Sequence, residues 1–319
     1  MTKVDLITGL LGSGKTTFLL RYARYLFDKG MRIAVLVNDL GAVNVDMLLL
    51  QELKSERCQL EMVSGGCDQH CHRRRFRTQL IALGMQHFDR VIVEPSGVFD
   101  MDEFFDVIRD EPLDRWFETG SVITVIESGG DQLTDQMQYL FASEAACCGR
   151  LLLSKYSGSQ EEVTDALDRL NSALESISCD RRFTSDDMTA KEWNDLTDDD
   201  MKVLMDSGYR LSSYIKKYSP DDILSGVHYF MRLSVPVETI RELLSAIMDD
   251  KECGKVYRIK GALPTDSGWL KVNATPAECE LLPVNEGQAV LIVIGDHVCA
   301  EAVDKHISRY NISPDYVFI

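Results

Sequence analysis

Gly9-Leu10-Leu11-Gly12-Ser13-Gly14-Lys15-Thr16-Thr17 matches the phosphate-binding pattern G-x-x-x-x-G-K-S/T, and its flanks decide how the N-terminal part of the chain folds. An apolar strand, Val4-Asp5-Leu6-Ile7-Thr8, runs into it. After it, Phe18, Leu19, Tyr22, Leu26 and Phe27 recur at helical spacing until Lys29-Gly30 ends the pattern. Glycines at 9, 12 and 14 let backbone N–H groups curl around an anion, and the start of the helix adds partial positive charge at the same point. Gly9, Gly12, Ser13 and Gly14 are therefore the expected cradle of a nucleotide's phosphates. Lys15 is expected to reach the β and γ phosphates, Thr16 to place its hydroxyl on Mg²⁺, and Thr17 to sit by the α phosphate. The spacing G-x-x-G-x-G is not the G-x-G-x-x-G of dinucleotide folds, which argues against an NAD enzyme.

Working outward, 319 residues at 45% hydrophobic are enough for a large core and ordinarily split into two domains. Fifty-one acidic residues against 34 basic ones give a net charge of -17, so nucleic acid and anionic membranes should be repelled and neither is expected as a partner. No run approaches the roughly 20 uninterrupted apolar residues of a membrane span, and the N-terminus enters the first strand without an apolar leader. A cytoplasmic location is expected. The nine cysteines, with close pairs Cys67/Cys71 and Cys147/Cys148, suit a reducing compartment in which thiols bind metals or pack in the core.

Arg32 to Val37, Leu60 to Val63, Arg90 to Glu94, Val122 to Ile126 and Arg150 to Ser154 read as buried strands. Residues 71 to 87, 132 to 144 and 160 to 176 have the length and spacing of crossover helices. The alternation predicts an α/β fold, a P-loop NTPase with a mostly parallel sheet. From Cys179 to Pro220 the composition turns polar and Asp-rich, with a helical pattern around Met201 to Tyr209. Beyond it come a strand (Val227 to Leu233), a helix (Val237 to Met248), three strands near Lys255 to Ala262, Leu270 to Asn273 and Ala289 to Ile294, and a helix from Ala300. This order predicts a smaller α+β C-terminal domain with an antiparallel sheet. The expected division is 1–220 for nucleotide binding and 221–319 for the second domain.

Several motifs together resemble the CobW-like metallochaperone GTPases, relatives of the nickel-inserting accessory GTPases of urease and hydrogenase. Leu6 to Thr17 is similar to that family's phosphate loop almost letter for letter. Val37-Asn38-Asp39-Leu40-Gly41-Ala42-Val43-Asn44-Val45-Asp46 resembles its switch segment, N-E-F-G-E-x-x-x-D, and Val91-Ile92-Val93-Glu94-Pro95-Ser96-Gly97 its Walker B strand. Tyr257-Arg258-Ile259-Lys260-Gly261 and Val290 to Gly295 look like the R-x-K-G and V-x-I-G strands of its C-terminal domain. The resemblance implies GTP and Mg²⁺ as ligands, with Lys15, Thr16, Asp39 and Glu94 as the catalytic set. Glu94, costly at the end of an apolar strand unless it faces a cation, would hold Mg²⁺ through water, and Gly97 would offer its N–H to the γ phosphate. Asp39 and Asp46 are the acidic members of the switch segment, near Mg²⁺ or the transferred metal, or else turn residues. Ala42 stands where the family often has Glu.

The family's metal motif, G-C-x-C-C, is altered here to Gly66-Cys67-Asp68-Gln69-His70-Cys71-His72. Cys67, His70, Cys71 and His72 still put four soft or borderline ligands within six residues, as Zn²⁺ or Co²⁺ prefers. The alternative is a buried thiol pair. Where guanine-specific members carry N/T-K-x-D, this chain has Ser154-Lys155-Tyr156-Ser157, so Ser154 and Lys155 take the base-binding place while Ser157 lacks the carboxylate. A preference for GTP rests on the resemblance. Arg73-Arg74-Arg75-Phe76-Arg77 reads as a solvated helix face or a docking patch for an acidic client. The function implied is slow nucleotide hydrolysis coupled to delivery of Zn or Co to a client metalloprotein or corrinoid protein, with a homodimer in keeping with the class. The rival is a non-catalytic nucleotide-dependent protein that docks on such a client without carrying metal. A small-molecule kinase ranks last, since no acceptor-binding lid is evident.

Overall fold

The computed structural model describes residues 1–10, 12–39, 50, 53–64, 69–95, 101–129, 133–218, 226–266, 268–276, 278–285 and 287–318. The described residues form two compact units, which part between Tyr218 and Gly226. The expected boundary at 220 lies in the intervening span, outside the described residues.

The first unit runs β1 (Thr2–Thr8), α1 (Lys15–Asp28), β2 (Ile33–Asp39), β3 (Cys58–Ser64), α2 (Gln69–Gly84), β4 (Arg90–Pro95), α3 (Met101–Arg109), β5 (Phe117–Glu127), α4 (Asp135–Ala146), β6 (Arg150–Ser154), α5 (Gln160–Ser176), β7 (Met188–Thr189) and α6 (Asp198–Met205). Among the described residues seven strands make one sheet in the order β3-β2-β4-β1-β5-β6-β7, and every pairing is parallel. Parallel neighbours need crossovers, which is why helices alternate with strands. Burial on both faces explains the continuous apolar runs: β4 is buried along its whole length, as is β1 from Val4 to Thr8. The P-loop fold expected from the phosphate motif is the fold observed.

One polar exception lies deep in that sheet. Asp5 on β1 is fully buried and accepts from Arg90 Nη1 at 2.6 and 2.5 Å, from Tyr22 Oη at 2.8 Å and from the Ser121 N–H at 2.8 Å. Burial pushes its carboxyl up, and the Arg90 guanidinium and these donors oppose the shift. A charge so placed is tolerated only because each lone pair is used. The Cβ of any residue larger than Gly at 120 would stand 2.1 Å from Asp5 Oδ1.

The second unit runs β8 (Val227–Met231), α7 (Ile240–Asp249), β9 (Lys255–Thr265), β10 (Gly268–Ala274), β11 (Cys279–Val284), β12 (Val290–Asp296), α8 (Ala300–Tyr310) and β13 (Val317–Phe318). Its sheet, ordered β11-β10-β9-β12-β8-β13, is antiparallel at every pairing. Alternation is plain in β12: Leu291 and Val293 join Leu243, Leu244, Ile247, Val303 and Ile307 of the two helices in one core, while Val290 and Ile292 lie on the other face with Tyr229 and Met231. The elements expected from the sequence are present with ends moved by a few residues. The reading had no counterpart for α3, β7, β11 or β13. Strand β11 carries Pro283, a residue that argues against a strand and is accommodated because β11 is the sheet edge. Among the described residues no helix is long and apolar enough to cross a membrane.

Candidate functional site

The phosphate loop leaves β1 in conformations that only glycine adopts easily. Gly9 has φ 136°, and a Cβ there would stand 2.2 Å from the Val125 carbonyl oxygen; Gly14, with φ 99°, is the residue from which α1 starts. The Lys15 ammonium lies back across the loop and donates to the Gly9 carbonyl at 2.6 Å and the Leu10 carbonyl at 3.2 Å. Thr16, in the first turn of α1, donates from Oγ1 to Glu94 Oε1 at 2.6 Å. Their meeting follows from register: β1 and β4 are paired up to Leu6 and Val93, so the next residue of β4, Glu94, ends beside the mouth of the loop. A hydroxyl and a carboxylate next to a glycine cradle are the hard oxygen donors that suit Mg²⁺, which keeps several waters and is shared with substrate phosphates. Gly9, Gly12, Ser13, Gly14, Lys15, Thr16 and Glu94 are thus brought together, and among the described residues Ser13 Oγ is buried without a hydrogen-bond partner. Thr17 follows on α1.

Beneath the loop stands a carboxyl that the sequence reading did not single out. Glu144 on α4 is almost fully buried and accepts the Gly9 N–H at Oε2, 3.0 Å away. Burial pushes it up to about 7, against the pull of Lys15 and of the Gly9 N–H. Thr8 and Thr124 share a hydrogen bond of 2.8 Å, and Thr124 reaches the Glu144 carbonyl at 3.3 Å, which seats α4 against β1 and β5. Nothing in the alternation of α4 marks Glu144, because its partner is a backbone amide more than a hundred residues earlier.

Ser154, Lys155 and Ser157, the residues at the place expected to take the base, are engaged within the chain. Ser154 is buried and gives its hydroxyl to the Ile126 carbonyl at 3.3 Å, a tie between strand ends. Lys155, at φ 54°, pairs with Glu127 at 2.5 Å, and Ser157 is held by Glu162 through its N–H at 2.9 Å and its hydroxyl at 2.7 Å. The wall on this side includes Trp193, which the sequence reading also passed over. Its indole N–H donates to the Leu153 carbonyl at 2.9 Å, its ring meets Phe18 edge-on, and a Cβ on Gly14 would come within 2.8 Å of it.

Of the four expected metal ligands, the described residues place the side chains of two, Cys71 and His72. Cys67, Asp46 and Gly97 lie outside the described residues, as do the side chains of Asp39 and His70, whose backbones belong to β2 and α2. Cys71 is half-buried on α2, with Arg74 Nη2 at 3.8 Å from its sulfur. His72 is buried more deeply than Cys71, and its Nε2 is 2.7 Å from Asn38 Oδ1. The reason is the helix itself, which turns successive side chains by about 100° and sends His72 to the sheet side while Cys71 stays nearer the surface. The arginine run is partly engaged within the chain, Arg73 with Asp106 at 3.7 Å and Arg77 with Asp110 at 3.0 Å, both acidic partners lying on or just beyond α3.

A glycine loop between the first strand and first helix of a parallel sheet, with a threonine and a strand-end carboxylate paired at its mouth, defines a P-loop nucleotide-binding protein. The chain belongs to the CobW/HypB/UreG family, whose nucleotide-binding domain matches residues 3–185. It is 29% identical over 168 residues to the zinc chaperone YeiR of Escherichia coli K12, covering 52% of this chain and 44% of that protein. Against the zinc chaperone YjiA of the same organism it is 27% identical over 180 residues, 53% of this chain and 54% of that one. The chain thus matches about half the length of these relatives. The crystal structure of Zn(II)-bound YjiA GTPase from E. coli aligns over 97% of this chain and 98% of that chain at 15% identity, with a TM-score of 0.36.

Proposed function

We propose that this protein binds and hydrolyses GTP, and that the state of the γ phosphate governs a Zn²⁺ site around Cys67 and Cys71 from which the ion passes to a client metalloprotein. The observation that carries the first half is the 2.6 Å contact of Thr16 with Glu94 at the mouth of the glycine loop. In phosphoryl transfer the protein's part is positioning and charge. Here Lys15 leaves the Gly9 and Leu10 carbonyls for the β and γ phosphates, the loop's N–H groups hold the chain of phosphates, and Thr16 and Glu94 hold Mg²⁺, which when bound neutralises charge on the γ phosphate. The names of the two E. coli relatives favour zinc over cobalt. The hydrogen bond between His72 and Asn38 joins the first turn of α2, just past the cysteine loop, to the end of β2, where the segment from Asp39 to Asp46 begins. That tie supports coupling between the two.

The same bond also favours a second reading. With Nε2 taken up by Asn38, His72 keeps only Nδ1 for a metal, and fewer ligand atoms suit a nucleotide-dependent docking protein that carries no metal. The two readings part in one experiment: Zn²⁺ affinity of the reduced protein with and without Mg²⁺ and a non-hydrolysable GTP analogue. The chaperone reading expects a shift of at least about tenfold, or 1.4 kcal/mol, that is lost in Lys15→Ala and in the double variant Cys67→Ser, Cys71→Ser. Equal affinities in all three proteins mean docking. Unchanged hydrolysis in Lys15→Ala sinks the catalytic half.

A further inference from the structure

The second unit holds a side-chain cluster that nucleotide binding does not use. Asp250, Cys253 and His306 each offer one ligand atom, and these atoms lie within 4.8 Å of one another. Local structure brings them there. Helix α7 ends at Asp249, and Asp250 then caps the short turn Lys251–Cys253 by accepting the Glu252 N–H at Oδ1, 2.9 Å. That turn drives Cys253 into the core, where it has no exposed surface. His306 comes from α8, whose Val303 and Ile307 are part of the same core.

The two oxygens of Asp250 are divided between tasks. Oδ1 serves the cap, while Oδ2 faces His306 Nε2 at 2.7 Å. Among the described residues the other ring nitrogen, Nδ1, is buried with no hydrogen-bond partner, although buried polar groups are nearly always satisfied. Only 13% of the His306 side chain is exposed, against 33% for Asp250, so the cluster is closed at the thiol and open at the carboxylate. Cys299 donates its backbone N–H to the Cys253 carbonyl at 3.2 Å, but its sulfur leans towards Glu301.

One thiol, one imidazole and one carboxylate are a mixed, borderline-soft donor set. Mg²⁺ and Ca²⁺ take oxygen ligands and do not select it, whereas Zn²⁺ and Co²⁺ do. Around Zn²⁺ at the usual bond lengths, neighbouring ligand atoms stand about 3.5 Å apart. The imidazole and carboxylate, 2.7 Å apart, would have to part to reach that spacing, and no two of the three ligand atoms start more than 4.8 Å from each other. Three protein ligands leave a fourth position, the arrangement of sites that exchange or react rather than of closed structural ones.

We propose that Asp250, Cys253 and His306 form a Zn²⁺ site in the second unit, with its fourth position open to solvent or to a donor from another molecule. The site needs neither nucleotide nor Cys67 and Cys71, and so goes beyond the function proposed above. It offers a second place where an ion rests. The competing account is an Asp–His pair that ties α8 to the turn, with Cys253 as an ordinary packed thiol.

The test uses the reduced full-length chain carrying Cys67→Ser and Cys71→Ser, without nucleotide, titrated with Co²⁺ and then Zn²⁺. The expected result is a thiolate-to-Co²⁺ charge-transfer absorption that Zn²⁺ abolishes and that is missing when Cys253→Ala is added. Because Cys253 is buried, its replacement also perturbs packing. His306→Gln therefore serves as the second variant, with circular dichroism as the check on folding, and is expected to weaken Zn²⁺ binding at least tenfold. Absence of the absorption in the parent background, or unchanged Zn²⁺ affinity in folded His306→Gln, overturns the site. Either failure leaves the reading of the nucleotide loop intact, since the loop cysteines and the nucleotide are absent from the experiment.

Discussion

Glu144 is a carboxyl placed under a loop built to receive phosphate, and the molecule tolerates it by favouring the neutral form. Burial raises it to about 7 while the Gly9 N–H and Lys15 restrain the rise. In the unfolded chain the same group has a value near 4.5. The folded state therefore keeps the proton between these two values, and this group's contribution to stability falls as pH rises through that interval, until both states are ionised above 7. Glu144→Gln retains an acceptor for the Gly9 N–H without the charge. It is expected to match the parent near pH ~4 and to exceed it by roughly 3 kcal/mol near pH ~9, an order-of-magnitude figure from the size of the shift. Denaturant unfolding at the two values checks this, and a variant less stable than the parent at both would show that the carboxylate itself is required.

Among elements, α1 is the one on which the nucleotide site turns, and it is held at its start by the segment that follows β7. Trp193 bonds the end of β6 through its indole N–H and meets Phe18. Arg21 of α1 donates to the Trp193 carbonyl at 2.8 Å and to Asn194 Oδ1 at 2.7 Å. The indole thereby fixes Gly14 and the first turn relative to Ser154 and Lys155. Removing it takes away an aromatic contact worth about 0.5–1.5 kcal/mol beyond its buried area and lets the loop relax. Trp193→Ala is expected to weaken nucleotide binding about three- to thirtyfold, whereas Trp193→Phe, which keeps the ring but not the N–H donor, should lose less. Titration with a fluorescent nucleotide measures both, and equal affinity across the three proteins would remove Trp193 from the site.

For the whole molecule, the decisive property is that each unit has its own sheet and its own apolar core. Domains so constituted commonly unfold as separate cooperative steps. A ligand held by one unit stabilises that unit by mass action, about 2.7 kcal/mol at a hundred times its dissociation constant. Calorimetry is therefore expected to resolve two transitions, Mg²⁺ with a non-hydrolysable GTP analogue raising one of them. With Cys67→Ser and Cys71→Ser in place, Zn²⁺ should raise the other. A single transition shifted by both ligands would show that the units unfold together.

The glycine loop, the alternating apolar runs of the first unit and the period-two pattern of β12 were legible in the sequence, because each is set by neighbours a few residues apart. Thr16 and Glu94 were each expected at Mg²⁺ from the sequence, but their direct hydrogen bond was not. What only the tertiary structure decided is where side chains from distant segments meet. Glu144 finds the Gly9 amide, Trp193 covers Gly14, His72 turns to Asn38, and His306 comes to Asp250 and Cys253. Sequence separation hides such contacts, for local periodicity reports which face of a helix or strand is buried but not what it is buried against.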